Sequence, residues 1–193
     1  MKKCWTFLIL AVTAMLILTA CGQKGVQTEE DNSVQKSSET SDGQEESQKI
    51  SFGDFTSQTL DGEEVTQEIF SEAEVTMVNI WGTFCSPCIN EMPELGEISR
   101  KYADRNVQII GIIGDVYESG DETAQEIIET TKADYLHMIA SEDLQKGILS
   151  EITAYPTTIF VDAEGTQIGE MYIGARDQAA WELIVEQMLS EVH

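Results

Sequence analysis

Apolar and polar positions divide the chain into three parts. Residues 5–18 form an apolar run without a charged side chain, and residues 22–49 consist mainly of Gln, Ser, Glu, Asp and Lys. From Ile50 onward, apolar segments recur at short intervals to the end of the chain. The polar stretch cannot bury enough apolar surface to fold. We therefore predict a disordered acidic and polar tether at residues 21–49 and one folded domain at residues 50–193, a length that suits a single core.

The predicted domain alternates strand-like and helix-like segments. Asp61-Gly62 favours a tight turn between two short strands, and apolar positions such as Ile89, Met92, Leu95 and Ile98 have helical spacing. The predicted strands are Phe55 to Leu60, Glu64 to Thr66, Val75 to Trp81, Val107 to Ile113, Leu136 to Ala140, Thr157 to Val161 and Thr166 to Tyr172. The first predicted helix follows the strand that ends at Trp81 and runs to about Tyr102. Three further helices are predicted, from Glu122 to Thr131, from Glu142 to Glu151 and from Asp177 to Leu189.

This order of elements predicts the fold class. Strands that alternate with helices and end in a strand pair and a helix are typical of an α/β fold with a mixed central sheet flanked by helices. An N-terminal β-hairpin precedes the sheet, and a helix and a strand are inserted in its centre.

The N-terminus has the pattern of an export signal. Lys2 and Lys3 precede the uncharged apolar run, which is too short for a comfortable membrane span. Leu18-Thr19-Ala20-Cys21 resembles a bacterial lipobox, which implies that residues 1–20 are a signal peptide and that Cys21 is lipidated. An uncleaved anchor helix is the alternative. Either interpretation predicts a cell-membrane protein that faces the extracytoplasmic side.

Charge excludes one class of partner. The chain has 11 Lys and Arg against 35 Asp and Glu, and removal of Lys2 and Lys3 with the signal leaves 9 against 35, a net charge of −26. Such a chain is repelled by the phosphates of nucleic acid. We therefore expect no nucleic-acid partner, and we attribute the acidity to solubility.

Two cysteines carry the candidate chemistry. Cys4 leaves with the signal and Cys21 is the lipidation site, so Cys85 and Cys88 are the remaining pair. A disulfide between them closes too short a loop to restrain the unfolded chain. Thiol–disulfide exchange needs one exposed thiolate and a second thiol nearby, which a two-residue spacer at a helix start supplies. Cys85 is the predicted attacking thiol and Cys88 the more buried resolving thiol.

Other uses of a Cys-x-x-Cys pair fit less well. A structural zinc site needs further ligands, and His137 and His193 lie far away without ligand spacing. Haem attachment needs a histidine directly after the second cysteine, where this chain has Ile89. We expect no metal and no resident cofactor.

Three separated motifs identify a family. Trp-Gly-Thr-Phe-Cys-Ser-Pro-Cys at 81–88, Ile-Asn-Glu-Met-Pro at 89–93 and Ala-Tyr-Pro-Thr-Thr at 154–158 resemble the TlpA/ResA-like branch of thioredoxin-like (redoxin) proteins, in its bacterial lipoprotein form. The resemblance implies a thioredoxin-like fold and a redox-active disulfide. It also implies a monomer that reduces disulfides of exported proteins and receives electrons from a CcdA- or DsbD-type membrane donor.

The resemblance also assigns site residues. Trp81 corresponds to the tryptophan that packs beside the thiols, with an ordinary core aromatic as the alternative, and Phe84 replaces a second tryptophan on the substrate-facing surface. Asn79 stands where cytoplasmic thioredoxins carry a proton-handling aspartate, and an amide cannot titrate. Glu91, three residues after Cys88, corresponds to the active-site glutamate of this branch, so we expect a raised pKa and an acid–base role. An exposed helix charge is the alternative for Glu91.

A proline loop completes the expected site. Tyr155-Pro156 corresponds to the cis-proline loop of the family, beside which an extended substrate segment pairs. We therefore expect Trp81, Phe84, Tyr155 and Pro156 to bind substrate. A plain trans turn is the alternative at this position.

Three rival functions stay open. A disulfide-forming oxidase would use the same residues, although the Ser-Pro spacer resembles the reducing type. A thiol peroxidase is suggested by Thr83, two residues before Cys85, but the proline that precedes this threonine in peroxidases is missing. A non-enzymatic metal carrier would need a Cys-x-x-x-Cys motif and a matching histidine, which the sequence does not show.

Overall fold

A computed structural model describes residues 49–193 of the protein. The predicted signal peptide, Cys21 and most of the predicted tether lie outside these residues. Among the described residues, no helix is long and apolar enough to span a membrane. The strands are β1 (Thr56–Gln58), β2 (Glu64–Thr66), β3 (Val75–Trp81), β4 (Val107–Ile113), β5 (Leu136–Ile139), β6 (Thr157–Val161) and β7 (Gln167–Ile173). The helices are α1 (Ser86–Tyr102), α2 (Glu122–Thr131), α3 (Glu142–Lys146) and α4 (Gln178–Val192).

A mixed five-stranded sheet forms the centre of the domain. Its strand order is β5-β4-β3-β6-β7, with β3, β4 and β5 parallel and β6 and β7 antiparallel to their neighbours. Strands β1 and β2 form a separate antiparallel hairpin, and one bridge between Thr59 and Met138 connects it to the edge of the main sheet. The predicted α/β fold with an N-terminal hairpin and a central αβ insertion is therefore present.

The two faces of the sheet pack two separate apolar clusters. In β3, Met77 and Trp81 pack in the cluster shared with α1 and α4, whereas Val78 and Ile80 pack in the cluster shared with the hairpin and α3. Alternate side chains of a strand point to opposite faces, so Asn79 lies on the same face as Met77 and Trp81. This register places an amide directly beneath α1.

Side-chain caps define the helix starts. Asp121 accepts a hydrogen bond from the Ala124 N–H at 2.8 Å before α2, and Asp177 does so from the Ala180 N–H at 2.8 Å before α4. Such caps satisfy backbone donors that have no partner inside the helix. The predicted starts of these helices agree with the structure to within a residue.

One predicted helix is too long, and one short helix was not predicted. The helix predicted from Glu142 to Glu151 ends at Lys146, because Gly147 leaves the helical conformation with φ −91° and ψ −121°, and a short 3-10 helix follows it. A further 3-10 helix at Gln67–Glu72 has no counterpart in the prediction. Its buried Phe70 packs against two phenylalanines near the N-terminus of the domain, a contact that local periodicity does not reveal.

Candidate active site

The two cysteines form a disulfide at the start of α1. Cys85 is the N-cap residue, and its sulfur accepts a hydrogen bond from the Cys88 N–H at 3.3 Å. Unpaired backbone N–H groups and the helix dipole stabilise negative charge at this position. Cys85 is 6 % exposed and Cys88 is fully buried, which is the predicted order. The geometry therefore favours Cys85 as the thiol that meets a substrate.

An open groove borders Cys85. It has a volume of about 640 Å³, and it is lined by Phe84, Cys85, Ser86, Pro87, Ile152, Thr153, Ala154 and Tyr155. Phe84 is 72 % exposed, and its ring centroid lies 6.1 Å from that of Tyr155. The Tyr155-Pro156 bond is cis, the isomer that the resemblance implied. Of the residues predicted to contact substrate, Phe84 and Tyr155 line this groove, whereas Pro156 and Trp81 do not.

A brace holds the loop that precedes Cys85. Asp115 accepts two hydrogen bonds from the Thr83 N–H, at 3.0 and 3.2 Å, and one from the Thr83 hydroxyl. Gly114 donates to the Trp81 carbonyl at 2.8 Å, and a methyl group at Gly114 would lie 2.1 Å from the Tyr155 hydroxyl oxygen. The sequence analysis missed Asp115, because only the parallel pairing of β3 with β4 brings it to this loop.

The carboxylate of Glu91 lies in a buried cage of hydrogen-bond donors. Its Oε1 accepts from the Asn79 amide at 3.0 Å. Its Oε2 accepts from the Arg176 N–H at 3.0 Å and from the Trp181 indole N–H at 3.3 Å. Glu91 is only 3 % exposed, so the alternative of an exposed helix charge does not hold. One turn of α1 separates it from Cys88, and the same face of the helix carries both.

Burial dominates the electrostatics of this carboxyl. Loss of solvent raises the pKa of Glu91 above its ordinary value, while the donors Arg176, Trp181 and Asn79 and the charge of Arg176 oppose that rise. The guanidinium of Arg176 stacks over the rings of Tyr172 and Trp181, at 4.9 and 5.1 Å from their centroids. The raised pKa has the predicted direction, and it brings the carboxyl closer to the range in which thiols exchange protons.

Arg176 and Trp181 are site residues that the sequence analysis did not find. They lie 85 and 90 residues after Glu91, on the loop before α4 and on α4 itself. No local motif signals such contacts. The predicted amphipathic helix from Asp177 to Leu189 includes Trp181 and has one apolar face that should be buried. The sequence did not indicate which residues that face would contact.

Trp81 lies beneath the site and not on its surface. Its side chain has no exposed area, and its indole N–H donates to His137 Nδ1 at 3.2 Å. His137 Nε2 in turn lies 2.9 Å from the Ala133 carbonyl, so His137 is neutral with its proton on Nε2. The prediction that Trp81 binds substrate is therefore wrong for this structure, because a fully buried ring offers no contact to a docked chain.

Burial also sets the protonation of His137. Loss of solvent lowers its pKa to about 4, although the hydrogen bond to Ala133 opposes the change. The His137 ring packs against Gly111, where an added methyl group would lie 2.2 Å from Nδ1 of His137. Within residues 49–193, no group of three or more His, Cys, Asp or Glu side chains could hold a metal ion.

Comparison with known proteins identifies related chains. Residues 50–167 match the family described as AhpC/TSA family. The thioredoxin-like protein YneN of Bacillus subtilis (strain 168) is 26 % identical over 123 residues, which cover 63 % of this chain and 68 % of that protein. The thiol:disulfide interchange protein DsbE of Pseudomonas fluorescens biotype C is 28 % identical over 130 residues, covering 67 % and 68 %.

A third relative extends the match. The thiol-disulfide oxidoreductase ResA of Halalkalibacterium halodurans is 28 % identical over 142 residues, which cover 71 % of this chain and 70 % of that protein. The predicted resemblance to ResA-like proteins is thereby confirmed.

Solved structures support the fold. A thiol:disulfide interchange protein of the thioredoxin family from Chlorobium tepidum TLS superposes with a TM-score of 0.62 at 24 % identity, covering 73 % of this chain and 97 % of that one. StoA from Bacillus subtilis superposes with a TM-score of 0.55 at 17 % identity, covering 68 % and 96 %. The predicted thioredoxin-like fold is confirmed. Since the matched family spans more than half of the chain, the chain belongs to the AhpC/TSA family.

Proposed function

We propose that this protein reduces disulfides in exported proteins from the outer face of the cell membrane, where a lipid on Cys21 anchors it. The chain is a thiol–disulfide oxidoreductase with the Cys85–Cys88 pair as its redox centre. The observation that carries the proposal is the disulfide at the N-terminus of α1, with an open groove on the side of Cys85 and a buried carboxyl on the side of Cys88. The pair thus has access to a partner and a nearby proton acceptor.

The reaction consumes the reduced dithiol. The Cys85 thiolate attacks one sulfur of the substrate disulfide, the substrate S–S bond breaks, and a mixed disulfide forms as one substrate thiolate leaves. Cys88 then transfers its proton to Glu91 and attacks the Cys85 sulfur, which releases the second substrate thiolate. The substrate gains two electrons and the enzyme becomes a disulfide. A dithiol donor in the membrane, of the CcdA or DsbD type, restores the reduced enzyme.

Trapping tests this function directly. A Cys88→Ser variant completes the first step and cannot resolve it, so it should accumulate mixed disulfides through Cys85 with exported proteins. The double variant Cys85→Ser/Cys88→Ser is the matched control and should capture none. Mass spectrometry of the trapped species identifies the substrates. Equal capture by both variants, or capture through another cysteine, would contradict the proposal.

The anchor is a separate part of the proposal. The apolar run before Cys21 resembles a lipoprotein signal, and the polar stretch at residues 22–49, as a coil of 28 residues, would span on the order of 30 Å. That reach confines the domain near membrane partners and raises its effective concentration toward them. Metabolic labelling with palmitate should mark the wild-type chain and not a Cys21→Ala variant. A wild-type chain that keeps residues 1–20 without label would refute the anchor.

Thiol peroxidase activity is the second candidate. The AhpC/TSA match and the position of Thr83, two residues before Cys85, favour it. The Thr83 hydroxyl, however, donates to Asp115, so it is already engaged in the brace of the loop. A peroxide turnover assay with a dithiol donor decides between the two functions. Turnover of peroxide faster than that of a protein disulfide would establish the peroxidase.

A further inference from the structure

The amide of Asn79 lies between two polar side chains at the base of the site. Its Nδ2 donates to Glu91 Oε1 at 3.0 Å and to Thr158 Oγ1 at 3.1 Å. The side chain has no exposed area, and its Oδ1 is buried without a hydrogen-bond partner among the described residues 49–193. A buried acceptor without a partner is destabilising and rare. The unused oxygen of Asn79 therefore needs a physical explanation.

The donors around Glu91 suit its ionised form. The backbone N–H of Arg176 and the indole N–H of Trp181 both donate to Oε2, and neither group can accept a hydrogen bond. Oε1 has one partner, the Asn79 amide. When Glu91 binds a proton on Oε1, its O–H would point at the N–H of Asn79, and two donors would face each other. An acid–base group must occupy both states in each cycle.

A half-turn of the Asn79 amide resolves this conflict. The turn places Oδ1 where it accepts from the protonated Oε1 of Glu91 and from the hydroxyl of Thr158, because a hydroxyl can accept or donate. Nδ2 then occupies the place of the present Oδ1, so one amide atom lacks a partner in either orientation. The backbone need not move, since Asn79 stays paired with Thr158 in β6 and with Gly111 in β4.

We propose that Asn79 is a positioning residue whose amide turns over as Glu91 gains and loses its proton, so that the buried carboxyl is hydrogen-bonded both as a base and as an acid. This inference rests on the acid–base role proposed for Glu91. The amide supplies a donor to the ionised carboxyl and an acceptor to the protonated one. A second carboxylate at position 79 would titrate with Glu91, whereas an amide responds without taking the proton.

Other charged or titratable groups also face Glu91. Glu94 on α1 and Arg176 and Asp177 on the loop before α4 line the same depression as Glu91, and the charge of Glu91 contributes to the raised pKa of Tyr135. Cys88 cannot titrate while it is disulfide-bonded. A comparison of variants at Asn79 in the oxidised protein leaves all these groups in place. It therefore isolates the effect of the amide.

The test is a titration of the Glu91 carboxyl by carbon-13 NMR in the oxidised full chain. Trp181→Phe removes a donor that cannot become an acceptor, so it should raise the Glu91 midpoint by about one pH unit or more, the size expected for one lost hydrogen bond to a charge. Asn79→Leu removes a partner of both forms, so its midpoint should stay within about 0.3 pH unit of the wild type. A rise in Asn79→Leu as large as that in Trp181→Phe would make Asn79 a fixed donor and overturn the inference.

A second readout needs no variant. Above the Glu91 midpoint, the side-chain amide protons of Asn79 should show nuclear Overhauser contacts to the Thr158 side chain, and below the midpoint these contacts should disappear. Contacts that persist through the titration would also overturn the inference. Neither readout involves turnover. If Glu91 has no catalytic role, the exchange rate of Glu91→Gln fails to change while the NMR result stands, so the two failures are distinguishable.

Discussion

The two cysteines of one disulfide lie in opposite environments. Cys85 borders an open groove with the exposed Phe84 ring, whereas Cys88 is fully buried on the side of Glu91 and Asn79. The exposed side has few polar contacts and holds its loop through Asp115. On the buried side, specific hydrogen bonds are donated to one carboxyl, that of Glu91.

Under the proposed roles, this difference separates substrate recognition at Cys85 from proton transfer at Glu91. Glu91 lines a depression of about 300 Å³ that it shares with Arg176 and Asp177, and Cys85 does not line it. A partner that covers Cys85 in the groove therefore leaves another route between Glu91 and solvent. Substitutions on the exposed side should change which substrates react, and substitutions on the buried side should change how the rate depends on pH.

Loss of the attacking sulfur should have the largest effect. Cys85→Ser should abolish disulfide reduction, because a serine hydroxyl does not form a thiolate-like nucleophile at neutral pH. Cys88→Ser should keep the first step and lose turnover. The measurement is reduction of a protein disulfide followed over time with each variant. Residual turnover in Cys85→Ser would show that another group attacks the substrate.

Loss of the buried carboxyl should have the next largest effect. Glu91→Gln should slow exchange by about 10²-fold or more near neutral pH, the usual contribution of a positioned acid–base group. It should also remove the step in the pH profile that Glu91 causes. Glu97→Gln, on the same helix but exposed and outside the depression, is the matched control and should keep both rate and profile. An unchanged profile in Glu91→Gln would remove Glu91 from the mechanism.

His137, which accepts a hydrogen bond from the Trp81 indole, should make the free energy of unfolding depend on pH. The pKa of His137 is about 4 in the fold against 6.5 as its ordinary value, so the unfolded chain binds a proton between these pH values and the fold does not. The free energy of unfolding should therefore fall as pH falls from 6.5 to 4, by roughly 3 kcal/mol from this group. His137→Gln should remove that slope in denaturant titrations.

The wild type and His137→Gln are compared in the same series of buffers, so that the two chains differ only at this histidine. A slope that persists in His137→Gln would assign the acid sensitivity of the fold to other groups.

Changes on the exposed side should have the smallest effect. Phe84 is 72 % exposed, so Phe84→Ser should leave stability within about 0.5 kcal/mol of the wild type. It should lower kcat/KM for a protein disulfide by about fivefold, a loss of about 1 kcal/mol of aromatic contact. Reduction of a small soluble disulfide should not change. Equal losses for both substrates would show that Phe84 acts on the thiols and not on recognition.

Local patterns predicted the parts of the site that depend on neighbours in the chain. The spacing of Cys85, Cys88 and Glu91 on one helix and the buried strand before them agree with the structure; the cis bond at Tyr155-Pro156 was implied only by the resemblance to the family. Helical and strand periodicity suffices there, because the residues concerned lie on one element or at its end.

Long-range contacts explain what the sequence could not reveal. Trp181 and Arg176 reach Glu91 only because α4 packs beside α1, and His137 on β5 reaches Trp81 on β3 only across the intervening strand β4. Substrate contact by Trp81 was predicted wrongly, since a motif specifies a position and not its burial. Gly147 ended a predicted helix through its backbone conformation, which composition alone did not indicate.

A redox titration of the Cys85–Cys88 pair against glutathione or a thioredoxin standard tests the central claim most directly. A reductase of exported proteins should titrate as one two-electron couple with a potential below about −200 mV, in the range of thioredoxins and glutaredoxins. The Cys88→Ser variant should show no such couple. A potential near about −120 mV, the value of a strong disulfide-forming oxidant, would contradict the reducing direction and assign the same site to oxidation.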